Sequence, residues 1–298
     1  MNQNTQPPLK GFTRLAGTPE QIANELGPLA DLAGTWKGAD GWNLIAVPSQ
    51  KSGQPTFTLL IHQYSETITF TPITAPVPNR GGATQQFITG LMYDLTITNL
   101  NDDHGVLHIE NGMWLNMADI EVQPDGPVVE GVATPQQFTI ARQSAIPHGD
   151  VVIALGNATT SVLPNIPSIS ALPDPVGLPP VFGYTDQYTT NKFQDLFKAT
   201  NINATLTSTA AKQTITHVTT ITVDTENGGN ISNIPFVDKF VNPTRFQSTF
   251  WIEDVVSGDV TFKQLQYSQQ ADLNFIKKFK LDGDILWPHV NVNTLVKI

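Results

Sequence analysis

Cysteine is absent from this chain of 298 residues. That single absence excludes disulfide staples, thiolate nucleophiles, cysteine-ligated zinc and iron–sulfur clusters. Charge is scarce too: 14% of the residues are Asp, Glu, Lys or Arg, and 26 acidic residues against 16 basic ones leave a formal charge of −10. A surface of that sign repels phosphate backbones and anionic membranes, so the expected partners are small molecules or other proteins, not nucleic acid. No window approaches the ~18 uninterrupted apolar residues of a membrane-spanning helix. Residues 1–8 (MNQNTQPP) have neither the basic nor the apolar part of a signal peptide. These features predict a cytoplasmic protein without a membrane span, and they leave homo-oligomers open.

The signatures of the common catalytic classes are also missing. There is no G-x-S-x-G elbow, no phosphate-binding Walker loop, no dinucleotide G-x-G-x-x-G after a strand and no H-E-x-x-H. Ordinary hydrolases, kinases, dehydrogenases and zinc proteases are thereby disfavoured. Asn-x-Ser/Thr tripeptides at Asn157, Asn203 and Asn230 read as chance occurrences in a chain without a secretion signal.

What the sequence does contain is β-structure. Thr, Val, Ile and aromatic residues dominate in short runs bounded by Gly, Pro, Asn or Asp: 42–48, 57–64, 67–71, 86–99, 105–117, 128–133, 136–142, 150–155, 213–224, 246–256, 260–270 and 285–297. A meander of this kind with so little helix predicts an all-β, antiparallel barrel or sandwich. Phe262, Leu265 and Tyr267 drift in phase, which hints at a bulge. One helix opens the fold, with Thr18 as N-cap, Pro19 at the first helical position and Gln21 at the capping-box position, ending near Gly34. Helical spacing returns over 186–199, where Tyr188, Phe193, Leu196 and Phe197 approximate one apolar face, as a packing helix or a lid over a barrel mouth. Between them, residues 163–183 hold six prolines and form neither helix nor central strand. A chain this long buries roughly three quarters of its unfolded surface, so it holds itself together without metal.

Two local patterns stand out among six histidines. In 32–38 (LAGTWKG) the glycines allow close backbone approach, and Trp36 plugs one end of a barrel with its indole N–H in need of an acceptor. In 107–114 (LHIENGMW), period two places His108, Glu110, Gly112 and Trp114 on one face. If that face lines an interior, His108 and Glu110 perturb each other's ionisation and serve a ligand as donor and acceptor. A buried His–Glu pair that merely fixes the strand explains the pattern equally well. Arg142, near the end of strand 138–142, is an interior or rim cation suited to a carboxylate. His104, His108 and Glu110 would make a non-heme iron or manganese site if the strand began early enough, although 101–105 reads better as a turn.

Residues 28–38 (PLADLAGTWKG) resemble the opening of nitrobindin-like heme barrels related to fatty-acid-binding proteins, where a short helix precedes a G-x-W-x-G strand. Residues 66–70 (ETITF) resemble the strand after it, 107–112 (LHIENG) the L-H-x-E-x-G strand, and 287–295 (WPHVNVNTL) the last strand, which in that family carries the iron-ligating histidine. The likeness spans 25–155 and 245–298, in order. It implies a calycin-like (lipocalin-like or FABP-like) β-barrel with a short N-terminal helix, an N-terminal tail over 1–17, and one enlarged domain over 18–298 with a Pro-rich and helical insertion around 157–245. It also implies ferric heme as cofactor, with His289 as iron ligand and His108, Glu110 and Arg142 as pocket residues. The chemistry implied is binding of nitric oxide, isomerisation of peroxynitrite to nitrate, or weak peroxidase activity. Strand alternation works against this reading, because it groups His289 with Asn291 and Asn293 on a polar face open to solvent and Val290, Val292, Thr294 and Val296 on the buried face. Two other readings stay open. One is a non-enzymatic barrel carrying a lipid or other apolar molecule. The second is a filled-core barrel acting through protein partners, to which the turn and edge chemistry of 228–236 belongs.

Overall fold

The computed structural model describes residues 18–51, 53–80, 84–101, 105–122, 137–178 and 186–298. In chain order its elements are α1 (Pro19–Leu26), β1 (Gly34–Lys51), β2 (Gln54–Arg80), β3 (Thr84–Asn99), β4 (Val106–Val122), β5 (Ile140–Ile146) and β6 (Asp150–Ser161). There follow α2 (Asp186–Thr189), α3 (Ala204–Ala210), β7 (Thr214–Asp224), β8 (Asn230–Asn233), α4 (Pro235–Phe240), β9 (Asn242–Ser257), β10 (Val260–Lys277) and β11 (Asp284–Lys297). All strands but β8 pair antiparallel around a closed ring, β1-β2-β3-β4-β5-β6-β7-β9-β10-β11 and back to β1. Short β8 is added alongside β6. Closure leaves the ring without a free edge, the usual liability of a β-sheet. Among the described residues no helix is long and apolar enough to cross a membrane.

The chain closes one end of the barrel with its own beginning. α1 starts at Pro19 as expected and stops at Leu26, where Gly27 takes φ +52 and a 3-10 turn, Gly27–Leu32, continues. Leu26, Leu29 and Leu32 are wholly buried beneath Trp36, whose indole N–H donates to the Leu32 carbonyl at 2.6 Å. The register of β1 against β2 shifts between Gly38 and Gly41. There the Tyr64 ring lies against the backbone, and a Cβ at Gly41 would stand 2.3 Å from it. Only glycine fits that contact.

Two hydrophobic cores flank the same wall. Inside the barrel, Trp36, Tyr64, Phe70, Tyr93, Trp114, Phe250, Tyr267 and Leu295 pack together. Outside it, Trp42, Leu44, Trp251, Val255, Trp287, Val290 and Val292 of β1, β9 and β11 are covered by Ala171, Tyr188, Phe197, Ile202 and Leu206 from the segment between β6 and β7. The described part of the proline-rich stretch, 163–178, is thus a strap on the outer wall. Its prolines cannot donate to a ladder, so the strap is held by scattered bonds. Side chains reach its carbonyls, Trp251 Nε1 to Asn165 O at 3.1 Å and Asn203 Nδ2 to Pro167 O at 2.8 Å, and backbone bonds join Ile202 N–H to Ile169 O at 2.9 Å and Ala171 N–H to Ala199 O at 2.8 Å. Each large apolar side chain it covers contributes on the order of 1.5–3 kcal/mol.

Several expectations are corrected here. The runs 57–64 and 67–71 are one long strand, β2. The run 128–133 and the start of 136–142 lie outside the described residues. Helix over 186–199 does not form beyond Thr189. Asn191 ends it, because its Oδ1 accepts the Phe193 N–H at 2.8 Å and its Nδ2 donates to Tyr188 O at 2.9 Å, an Asx turn in place of another helical turn. The aromatic face survives without the helix: Phe193 and Phe197 sit 5.3 and 5.0 Å from Trp42, and Tyr188 6.1 Å from Phe57. No register shift occurs at Phe262–Tyr267; Phe262 points to the outer core while Leu265 and Tyr267 point inward, by strand parity alone. In β11 the expected sides are reversed. Val290 and Val292 are buried, but under the strap, and His289, Asn291 and Asn293 face the barrel interior.

Candidate functional site

Toward the end of β1 away from α1 the barrel is not filled. A cavity of about 500 Å³ remains, within the usual ~300–1,000 Å³ of small-molecule sites. Its walls are largely aliphatic, with Ile45 and Val47 from β1, Leu60 from β2, Leu95 and Ile97 from β3, and Ile146 and Val152 from β5 and β6. Val237 of α4 and Val241 just after it close part of the mouth. Against this apolar lining stand four of the six histidines, His62, His108, His148 and His289, from β2, β4, the β5–β6 turn and β11.

His289 is held from β1. Its Nε2 lies 2.7 Å from Asn43 Oδ1, the same oxygen that accepts Asn291 Nδ2–H at 2.8 Å. The other end of that amide, Asn43 Nδ2, faces His62 Nδ1 at 3.2 Å. Burial among neutral and basic neighbours, with His108, His148 and His62 adding their share, pushes the His289 pKa down to about 3. At neutral pH the ring is therefore an uncharged imidazole, the form that binds metal.

On the facing wall a carboxylate is held ionised. Burial would raise the Glu110 pKa, but the Arg142 guanidinium at 2.7 Å, His108 Nε2 at 3.2 Å and the Tyr93 hydroxyl together hold it well below the usual carboxylate range. Arg142 is 1% exposed. Its donors go to Glu110, Ser144, Ser248 and Gln269, and its plane is boxed by Phe246 at 5.1 Å and Trp114 at 5.4 Å. Of the two places expected for it, interior and rim, the strand gives the interior, and the carboxylate it holds belongs to the protein. His108 stands beside His148 with ring centroids 5.6 Å apart.

A second polar group sits deeper in the barrel. Glu66 Oε2 accepts the Tyr267 hydroxyl at 2.6 Å and Asn293 Nδ2–H at 2.9 Å, and Tyr64 OH meets Tyr267 OH at 2.8 Å. Oε1 of Glu66 has no hydrogen-bond partner among the described residues. Burial pushes the Glu66 pKa up to about 7 despite those two donors.

The structure thus brings His108, Glu110 and His289 to one cavity, with Arg142 immediately behind Glu110. His104 lies outside the described residues. Among those described, no three His, Asp or Glu side chains converge to hold a bare metal ion. Sequence reading missed Asn43, His62, His148 and Glu66. Nothing in their local runs distinguishes them, because Asn43, His62 and Glu66 meet β11 only when the ring closes, and His148 meets His108 only when the β5–β6 turn comes beside β4. A heme fits this donor set in two respects: aliphatic walls for the macrocycle and a neutral imidazole for iron. Propionates would find no Lys or Arg among the lining residues, since Arg142 is occupied by Glu110.

The family model of the THAP4-like, heme-binding beta-barrel domain matches residues 25–220. That span contains His62, His108, Glu110, Arg142 and His148, and it ends before β11 and His289. Among solved structures, the crystal structure of Rv2717c from M. tuberculosis is similar at 16% identity and a TM-score of 0.37, with 93% of this chain and 97% of that chain covered. No curated protein matches the chain.

Proposed function

The chain belongs to the THAP4-like heme-binding β-barrel domain family, and from that premise we propose that it holds ferric heme in the cavity of about 500 Å³, with His289 as the residue that would bind iron. The observation that carries this reading is the convergence of His289, His108 and Glu110 on one cavity with largely aliphatic walls. His289 suits the role because burial keeps its imidazole neutral and a hydrogen bond fixes the ring. A heme held by His289 would supply the binding of nitric oxide and the isomerisation of peroxynitrite to nitrate.

The remaining residues shape the pocket. Glu110, kept ionised by Arg142, holds His108 by a hydrogen bond at Nε2 and so fixes the ring that borders the ligand space. The aliphatic walls exclude water from around the bound group, which strengthens every polar contact inside. Arg142 acts from behind the wall, through Glu110 and Gln269, both of which line the cavity.

Titration of the apo-protein with hemin tests this reading. A saturable one-to-one Soret band is expected for the wild type and for His108→Ala, and it should be lost in His289→Ala. A band that His289→Ala leaves intact rules out His289. No saturable band at all would retire heme. That outcome would favour the alternative of a carrier for an uncharged apolar molecule, which a wall without Lys or Arg also suits.

A further inference from the structure

The backbone register gives Asn43 a direct partner on both sides. It stands opposite Asn291 in the β1–β11 pair and opposite His62 in the β1–β2 pair. Direct cross-strand neighbours are close enough for short side chains to meet, and here they do. Asn43 Oδ1 takes Asn291 Nδ2–H at 2.8 Å and lies 2.7 Å from His289 Nε2, while Asn43 Nδ2 faces His62 Nδ1 at 3.2 Å.

The direction of each bond follows from what each atom can do. With Asn291 presenting its Nδ2–H to β1, turning the Asn43 amide over would set NH₂ against NH₂, donor against donor. With Oδ1 toward Asn291, that oxygen can only accept. His289 Nε2 must therefore carry the proton, which leaves the lone pair on Nδ1. The same amide donates through Nδ2, so His62 Nδ1 is the acceptor and the His62 proton sits on Nε2.

We propose that Asn43 is a positioning residue of the cavity: its carboxamide fixes His289 as the Nε2–H tautomer with the lone pair on Nδ1, and holds His62 on the neighbouring strand with its proton on Nε2. One residue of β1 thus sets the tautomers of two histidines that line the cavity. The tautomer assignment stands on the Asn43 contacts alone. Its consequence for iron rests on the reading of His289 as the ligand.

Long-range ¹H–¹⁵N correlation spectra of the ¹⁵N-labelled apo-protein read the tautomers directly. Wild type should show His289 protonated on Nε2 and unprotonated on Nδ1. Asn43→Leu should give a mixture of tautomers at His289, and hemin affinity should fall about 10–100-fold, the usual cost of losing a hydrogen bond that orients a metal ligand. Asn43→Asp keeps an acceptor for His289 but loses the donor to His62. It should restore the single His289 tautomer and most of the affinity, with a more negative ferric/ferrous midpoint because a carboxylate makes the imidazole more basic. A wild-type His289 protonated on Nδ1, or a tautomer ratio that Asn43→Leu leaves unchanged, overturns the proposal. If wild type shows the expected tautomer and binds no hemin, the Asn43 assignment is supported and the heme reading alone fails.

Discussion

At the scale of single residues, the interior is governed by which buried groups are charged. Glu110 and Arg142 are both buried and ionised, so each is stable only beside the other. Replacing Arg142 by Met strands the carboxylate and should cost about 3–5 kcal/mol in denaturant unfolding, whereas the double variant Arg142→Met, Glu110→Met should recover most of that loss. A single variant near neutral would show that the pair is not coupled. Glu66 behaves in the opposite way. Its folded pKa, about 7, lies above its ordinary 4.5, so between these values the folded state holds more protons than the unfolded one. Stability from this group is therefore greatest below pH 4.5 and is lost as pH rises through 7, on the order of 3 kcal/mol in all. Glu253, also raised to about 7, adds a contribution of the same sign. His289, lowered from 6.5 to about 3, works the other way, costing stability as pH falls below 6.5. Glu66→Gln should flatten the fall in stability between pH 5 and 7.5 by its own share, measured as unfolding midpoints against pH. An unchanged slope would mean that Glu66 is ionised throughout. Of these residues, His108 and Glu110 were legible in the sequence because period two alone puts them on one face. Glu66 was visible only as part of a strand.

At the scale of elements, the outer strap explains what strand patterning hides. β1, β9, β10 and β11 are covered on both faces, so alternation there does not separate inside from outside. β11 shows it most clearly. Its valines look like the buried face and are buried, yet under the strap, while its His and Asn residues turn to the cavity. Of the apolar face expected for a helix over 186–199, Tyr188, Phe193 and Phe197 reach the outer core while Leu196 is exposed, and the helix stops because a single Asn191 side chain satisfies the turn. Phe197→Ala should test the two-core arrangement. Removing a buried aromatic ring from the outer core should cost about 3–5 kcal/mol and leave hemin affinity unchanged, since Phe197 does not line the cavity. A proportionate loss of hemin affinity would mean that the strap and the cavity move as one. On α4, Phe236 and Phe240 are exposed, so Ser at both positions should change stability by no more than about 0.5 kcal/mol.

At the scale of the whole molecule, function and folding meet in the closure of β1 on β11. These strands come from opposite ends of the described chain, and Ile298 N–H reaches Thr35 O at 2.9 Å. The contact brings His289 to Asn43 and, through it, to His62. Pairing across so much sequence is slow, so refolding from denaturant should take milliseconds to seconds or longer, without a microsecond phase that restores the native fluorescence of the buried tryptophans. The barrel class was legible from the run of short strands and from residues 28–38, but the ring order was not, since nothing local says that the first strand pairs with the last.

The central claim is that His289 offers iron its ligand inside this cavity. The most direct measurement is the hemin spectrum of His289→Gly with and without added imidazole. The account predicts that His289→Gly loses the saturable Soret band and that excess imidazole, filling the space left by the ring, restores it. A His289→Gly protein that binds hemin as the wild type does, with imidazole making no difference, would contradict it.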